Sequence, residues 1–472
     1  MEFKVWSGVN SIGTNIVEIR SEKARLITDL GIPYSGQDDF LLNLGENLVE
    51  GRIRLGHIPD LRGIYRADLG TVPTAILISH LHLDHMGALP YLDPSIPVYL
   101  HEDSLKLYKA LARAQKGYRQ KHDFRAVKPG ESFTFHDFQI TFLESDHDIV
   151  GASAILVEHE GKSLVHSGDL RLHGRKSEQV RTLCKTLNEK NLDHLFIEGS
   201  SFTWSDHPLF PTEITREAEE RKRAKGGMND KFDKYIFCQS EQEFDENLAQ
   251  SLSENSQALI AINPYLANVE RLHAIQNIAR DKGRELVLDT AGASVLQAFY
   301  PDSRITLLNI ESEEDEFLHG HSSAMQPADE LKPEDYGTPL KKCENIEPVS
   351  LEEILANPEH FLVQNTVKQL EILGKLKPSL YIHSNGTPLG DFAPGYAELR
   401  EFLEEISCEY QLIACGGHAS TEDLVEIIKA INAKVVHPWH SGRVKYMAEV
   451  LNKLGFPIEV TEIGKIYQAN YP

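Results

Sequence analysis

The sequence predicts an α/β protein built from two unlike domains. Three observations point there. Short apolar, strand-like segments dominate residues 1–204, whereas strand-like and helix-like segments alternate from about residue 206. Several chemically interesting residues fall directly after strand-like runs, where an α/β scaffold displays its loops. Strand–helix alternation implies a parallel α/β domain in the second region.

In the first region the spacing predicts strands over Thr14–Ile19, Arg25–Asp29, Ala75–Ser79, Val98–Leu100, Phe133–Leu143, Ala152–Glu158, Ser163–Ser167 and Leu195–Glu198. Helices are predicted over 103–116 and 176–189. In the second region strands are predicted over Tyr235–Cys238, Ala258–Ile262, Glu285–Leu288 and Arg304–Leu308. Helices 242–254, 266–282 and 291–299 lie between or after them. Residues 311–350 are polar and Pro-bearing and read as an excursion or long loop. Further strands are predicted at Leu380–His383, Gln411–Ala414, Ala433–Val436 and near Ile458–Val460, with helices 394–405, 420–432 and 443–454 between them.

At 472 residues the chain is long enough for two or three domains with a large core. Its composition, 41% hydrophobic and 25% charged, is that of a soluble globular protein. No apolar run approaches the roughly 18 residues needed to span a bilayer. The N-terminus does not read as a signal peptide, so a cytoplasmic location and no membrane partner are expected. Five cysteines, Cys184, Cys238, Cys343, Cys408 and Cys415, form no CxxC pair and argue against a disulfide framework and a thiolate zinc site. The net charge of −23 does not suggest a nucleic-acid binder, but phosphate affinity resides in local clusters. One such cluster runs from Lys106 to Lys128, with Arg113, Arg119 and Arg125 interleaved with Tyr108, Tyr118 and Phe124. Arg221–Lys225 is a second. Cations beside aromatic faces suit a single-stranded nucleic acid, and a solvated helix face is the simpler alternative.

The densest chemistry lies in His80-Leu81-His82-Leu83-Asp84-His85, where four metal-ligand residues occupy six positions after an apolar strand. Imidazole and carboxylate at this density suit zinc or a similar divalent ion. His147, Asp169 and His440 occupy later loops. His80, His82 and His147 would make one site with an open position. Asp84, His85 and His440 would make a second, and Asp169 could bridge both. This composition suits a dinuclear zinc centre that activates water.

The order HxHxDH, then His, then Asp, resembles that of the metallo-β-lactamase superfamily. Gly8 through Asn15 resembles that family's opening strand and turn, and Gly168-Asp169 its fourth motif. Glu198 at a strand end, His418 in Gly416-Gly417-His418 and His440 in Pro438-Trp439-His440 are similar to motifs A, B and C of the β-CASP nucleases. That group includes ribonuclease J and the endonuclease of messenger-RNA 3′-end processing. Two positions depart from the pattern: Gly416 replaces a serine and Trp439 a smaller apolar residue.

The resemblance implies a metallo-β-lactamase αββα sandwich, residues 1–205 and 406–472, split by an inserted α/β β-CASP domain over 206–405. It implies two zinc ions per chain, with manganese or magnesium as substitutes. The ligands would be His80, His82, Asp84, His85, His147, Asp169 and His440. The expected activity is hydrolysis of RNA phosphodiester bonds by metal-activated hydroxide, in exo- or endonucleolytic mode. Asp84 and His418 would act in catalysis, His418 on the phosphate or the leaving oxygen, and Glu198 would orient a ligand histidine. His173, Arg175 and the loop Ser384-Asn385-Gly386 are candidate phosphate contacts. Single-stranded RNA is the expected partner, with single-stranded DNA as the alternative and a homodimer as a permitted state. The competing readings are a hydrolase of a small ester, lactone or phosphodiester, a DNA-acting β-CASP nuclease, and an inactive interaction subunit.

Overall fold

The computed structural model describes residues 1–33, 48–65, 68–114, 121–212, 233–309, 340 and 343–469. Two sheets face each other in the first domain. The seven-stranded sheet runs in the order Ile466–Gln468, Glu2–Ser7, Ile16–Arg20, Arg25–Thr28, Thr74–Ile78, Pro97–His101, Asp123–Val127. The six-stranded sheet runs Val435–Trp439, His194–Glu198, Lys162–His166, Ser153–His159, Phe138–Glu144, Ser132–Phe135. Alternation along the strands serves two cores at once. Ile155, Leu164 and Phe196 point inward against Phe3, Val17, Leu26 and Leu77 of the facing sheet. Their neighbours Leu156, Val165, Leu195 and Ile197 point outward. There they are covered by Val180 and Leu183 of helix Ser177–Glu189, Ile427 and Ile428 of Thr421–Ile431, and Leu451 of Val444–Lys453. Leu107 and Tyr108 of helix Glu102–Arg113 cover the other outer face. Strands buried on both faces read as continuous apolar runs, which is why their periodicity was legible. The result is an αββα sandwich.

The second domain is one eight-stranded parallel sheet. Its order is Asp233–Cys238, Glu409–Cys415, Leu380–Ser384, Ile260–Pro264, Phe361–Gln364, Glu285–Leu288, Ile305–Leu308, Ile346–Val349. Ser240, Asn268 and Asp289 each follow a strand and cap the next helix by accepting a backbone N–H. The two domains share apolar packing: Ile78, Leu107 and Val150 belong to the same buried cluster as Ile262, Ala267 and Leu296. Among the described residues no helix is long and apolar enough to cross a membrane.

Several expectations change. Phe133–Leu143 is two strands, because His136 and Asp137 form a two-residue hairpin turn with His136 at φ 53°. Asp123–Val127 is a strand inside the basic segment, paired with Pro97–His101. The end of the polar stretch, Ile346–Val349, is an edge strand, and Phe361–Gln364 is a further strand inside the sheet. The last strand is Ile466–Gln468; Ile458 makes only an isolated bridge to Val436. Glu409–Cys415, expected to begin the return segment at 406, pairs with Asp233–Cys238 and Leu380–Ser384. The chain therefore re-enters the sandwich only after Cys415, where Ala419 and helix Thr421–Ile431 join its core.

Candidate metal centre

The loop His80–His85 leaves strand Thr74–Ile78 and is stitched to the segment that precedes it in the sheet. Asn15 N–H donates to Asp84 O at 2.9 Å, Leu30 N–H to His85 O at 2.6 Å and Ile32 N–H to Leu83 O at 3.1 Å. Gly31 permits this approach, since a Cβ there would lie 1.6 Å from Asp84 O. Beneath the loop, the fully buried Trp439 ring stands 6.3 Å from the His85 ring and 4.5 Å from His166. Its Nε1–H donates to Ser7 O at 3.2 Å. Gly8 leaves room for it, because a Cβ at that position would meet Nε1 at 2.5 Å.

Three groups that could hold a metal form among the described residues, and all include Asp169: one with His80, His82 and His147, a second with Asp84, His85 and His440, and a third with Glu198, His418 and His440. His80 Nε2 and His147 Nε2 each lie 3.1 Å from His82 Nδ1. Asp169 Oδ2 is 3.6 Å from His80 Nε2, 3.7 Å from His147 Nε2 and 3.2 Å from His85 Nε2. His440 Nε2 is 3.0 Å from Asp84 Oδ2. Four ligands at zinc bond lengths in a tetrahedron stand about 3.3 Å apart, so these separations fit the ion. Asp169 Oδ1 is also buried without a hydrogen-bond partner, as suits a carboxylate oxygen facing a cation.

Outer contacts set which nitrogen faces the cluster. His147 Nδ1–H donates to Gly417 O at 2.5 Å, and His85 Nδ1 lies 2.7 Å from Asp29 Oδ2. Ser200 Oγ meets His440 Nδ1 at 2.9 Å. His440 sits at φ 48°, uncommon for a non-glycine residue. Its N–H donates to Gly8 O at 2.8 Å. Burial keeps the first group neutral, pushing His147 down to about 4 and His80 well below 6.5. His85 behaves oppositely: burial is outweighed by Asp169, Asp84 and Asp29, and its pKa rises well above 6.5.

His418 borders both groups, its ring 5.0 Å from that of His147 and 5.8 Å from that of His440. Its Nδ1 is 3.1 Å from each Glu198 carboxylate oxygen and 3.9 Å from Asp169 Oδ2. Glu198 thus holds His418 rather than a ligand histidine, and it also accepts N–H bonds from Leu170 at 3.1 Å and Ser200 at 3.2 Å. Burial lowers the His418 pKa, but Glu198 and Asp169 outweigh it and raise it to about 10.

The other expected contacts are engaged within the chain. His173 Nε2–H donates to Gly416 O at 2.9 Å. Arg175 forks onto Asp245 at 2.6 and 2.8 Å. Asn385 Oδ1 accepts from Arg271 Nη1 at 2.7 Å and from Cys415 N–H at 3.3 Å. Gly386 packs on Asn263, where a Cβ would come 1.9 Å from the amide oxygen. Ser384 is buried. In the first basic segment Arg113 is tied to Ser294 at 2.8 Å, Arg125 to Asp123 and the Tyr99 hydroxyl, and Tyr108 is buried. Lys116, Tyr118, Arg119 and the second basic patch lie outside the described residues. His437, three residues before His440, stacks on His194 at 5.3 Å.

Sequence reasoning passed over Asp29, Asn15, Asp148 and the ion chain Asp146–Arg171–Glu241–Arg271. Arg171 sits 3.0 Å from Asp146 and 2.9 Å from Glu241, and Arg271 lies 2.6 Å from Glu241. This chain anchors the His147 and Asp169 loops to the second domain. The signal within reach was adjacency: Asp146 and Asp148 flank His147, and Arg171 lies two residues past Asp169.

Residues 11–207 match the family described as the metallo-beta-lactamase superfamily, and the His/Asp groups around Asp169, which His440 completes from outside that segment, could hold metal ions. Among particular proteins, the chain is 28% identical over 168 residues to ribonuclease J of Mycolicibacterium smegmatis, covering 35% of this chain and 27% of that one. It is 22% identical over 293 residues to ribonuclease J of Mycoplasma genitalium, covering 60% and 42%. These matches span less than half of either relative. A crystal structure of a protein of unknown function from Enterococcus faecalis V583 shares the whole fold, with a TM-score of 0.75, 24% identity and 99% of both chains covered.

Proposed function

We propose that the protein is a dinuclear-zinc ribonuclease that hydrolyses RNA phosphodiester bonds. The observation that carries this reading is His418, brought from the end of the second domain's sheet to within 3.9 Å of Asp169. A three-histidine and a carboxylate–histidine site alone would serve esters, lactones and phosphates equally. An imidazole held beside them by a buried glutamate offers a proton donor to an anionic, tetrahedral phosphate. The partial similarity to ribonuclease J proteins supports the same substrate class.

Zinc held by these residues would supply Lewis acidity and lower the pKa of water toward about 7. The chain's own residues do the rest. Glu198 holds the His418 ring through Nδ1. With Nδ1 turned to Glu198, Nε2 is left to donate to a phosphate oxygen or to the leaving oxygen. Asn15, whose amide nitrogen lies 3.2 Å from Asp84 Oδ2, fixes the carboxylate of the second group. The site is reached over His418, whose side chain is 34% exposed.

The test is digestion of end-labelled RNA and DNA carrying 5′-monophosphate or 5′-triphosphate ends. RNA cleavage that stops on chelation is expected, and the ladder gives the mode. RNA left intact by protein with its full metal complement sinks the proposal. One observation favours a small-substrate hydrolase instead. Arg171, Arg175, Lys176 and Arg443 around the loops all pair with carboxylates of the chain, which leaves them less able to hold a polyanion. Turnover of a small ester or phosphodiester without RNA cleavage is the outcome that selects it.

A further inference from the structure

Tyr265 follows the strand Ile260–Pro264 at the end where the second domain meets the metal centre. Its ring centroid lies 5.8 Å from that of His82, with the two planes inclined at 40°. The side chain packs on the apolar cluster that the two domains share, yet it stays partly exposed. An aromatic ring of the second domain thus borders the group made by His80, His82 and His147.

The backbone under the ring is fixed on both sides. Tyr265 N–H donates to Ser384 O at 3.0 Å, and Tyr265 O accepts from Asn268 N–H at 3.1 Å. Asn268 in turn caps the helix Val269–Asp281 by accepting from Arg271 N–H at 3.1 Å. Two residues past the ring, Ala267 O accepts from Val150 N–H at 3.1 Å, which ties the turn to the loop that carries His147. A ring set in place before a ligand arrives loses little freedom when the ligand covers it.

The cations on the neighbouring loops are already engaged. Arg171 pairs with Asp146 and Glu241, Arg175 with Asp245, Lys176 with Glu270, and Arg271 with Glu241. A single strand is held by cations along its phosphates or by aromatic faces under its bases. With these four cations spent inside the chain, the Tyr265 ring is suited to the second kind of hold. Base stacking also tolerates any sequence, since every base has a π-face.

We infer that Tyr265 is a substrate-binding residue whose ring is the platform on which a base next to the scissile phosphate stacks. Loss of such a platform weakens binding by about 5- to 150-fold. The inference rests on the ribonuclease reading and gives it a hold on the strand that does not depend on free cations. It also divides the work between the domains: the second supplies the stacking face, and the sandwich supplies the ligand groups.

The experiment measures binding of a single-stranded oligoribonucleotide to the chelated full chain, and its cleavage by the zinc-loaded chain. An abasic strand of equal length is the reference. Tyr265→Leu should weaken binding of the base-bearing strand about 5- to 150-fold and leave binding of the abasic strand unchanged. Its KM for RNA should rise by the same factor, with kcat and zinc content as in wild type. Tyr265→Phe, which keeps the ring, should match wild type throughout. Wild-type binding of the base-bearing strand by Tyr265→Leu overturns the inference alone. So does an equal loss in Tyr265→Phe, which assigns the effect to the hydroxyl. A loss of equal size on the abasic strand, or a lower zinc content in Tyr265→Leu, also overturns it, because the ring then serves to support His82. A readout that needs no variant is photo-crosslinking of a strand bearing 4-thiouridine to wild type. The adduct should map to Tyr265, and adducts only at other residues overturn the inference. Zinc-loaded wild type that leaves RNA intact overturns the ribonuclease reading and the inference with it.

Discussion

The two halves of the metal centre are built on different principles. The half made by His80, His82 and His147 is a set of neutral imidazoles, and its pKa values are depressed by burial. The half made by Asp84, His85 and His440 is rich in carboxylate: Asp84 belongs to it, Asp29 backs His85, and His85 is pushed toward its charged form. Asp169 joins them. The difference teaches how one loop can present two unlike ligand groups side by side.

The sharpest way to break this comparison is to remove charge from the anionic half. Asp84→Ala should lower RNA hydrolysis roughly 1,000-fold or more and reduce the zinc content from two ions toward one, read by metal analysis. If the zinc content stays at two, Asp84 is not a ligand.

The buttress behind the imidazole half gives the next largest effect. Arg271→Met leaves the buried Glu241 without its nearest cation and should destabilise the fold by about 3–5 kcal/mol, seen as a lower urea midpoint. The pH dependence follows from Glu241. Burial raises its pKa, but Arg271 and Arg171 outweigh this and bring it down to about 2. A carboxylate depressed in the fold stabilises it above its unfolded pKa, near about 4.3. That contribution, on the order of 3 kcal/mol, is lost as pH falls through about 2. Glu241→Gln should therefore flatten the decline of the urea midpoint between pH 5 and pH 2; an unchanged slope refutes the assignment.

His418→Ala should leave both zinc ions in place and slow phosphodiester cleavage about 100-fold or more. Equal loss of metal and activity would return His418 to the ligand set. The smallest expected effect is Asp29→Asn, which replaces the carboxylate behind His85 and should weaken only the anionic half, on the order of 10- to 100-fold in affinity.

The legible part of the molecule was the part encoded locally. Strands buried on both faces, such as Thr74–Ile78 and His194–Glu198, stand out because every position is apolar or ends in chemistry. Edge strands did not. Asp123–Val127 is exposed at most positions and read as a basic segment, and Ile346–Val349 closes a polar stretch. The strand Glu409–Cys415 was recognised as a strand but placed in the wrong sheet, because a strand's sequence records its pattern and not its neighbours.

The candidate ligands that the structure gathers were likewise legible as a set. His80 to His85 lie on one loop, and His147, Asp169 and His440 follow strands that end at the same edge of the sandwich, so residue type and position sufficed. Partnerships were decided only by tertiary structure. Glu198 and His418 are 220 residues apart and meet at 3.1 Å. Asn385, expected to face phosphate, is claimed by Arg271, 114 residues away. Arg175 is claimed by Asp245. Hydrogen bonds and ion pairs act over about 3 Å, and only the packed chain brings such distant groups within that reach. The sequence by itself determined which residues can hold a metal; the fold determined which of the remaining charged residues serve the site and which are consumed in holding it together.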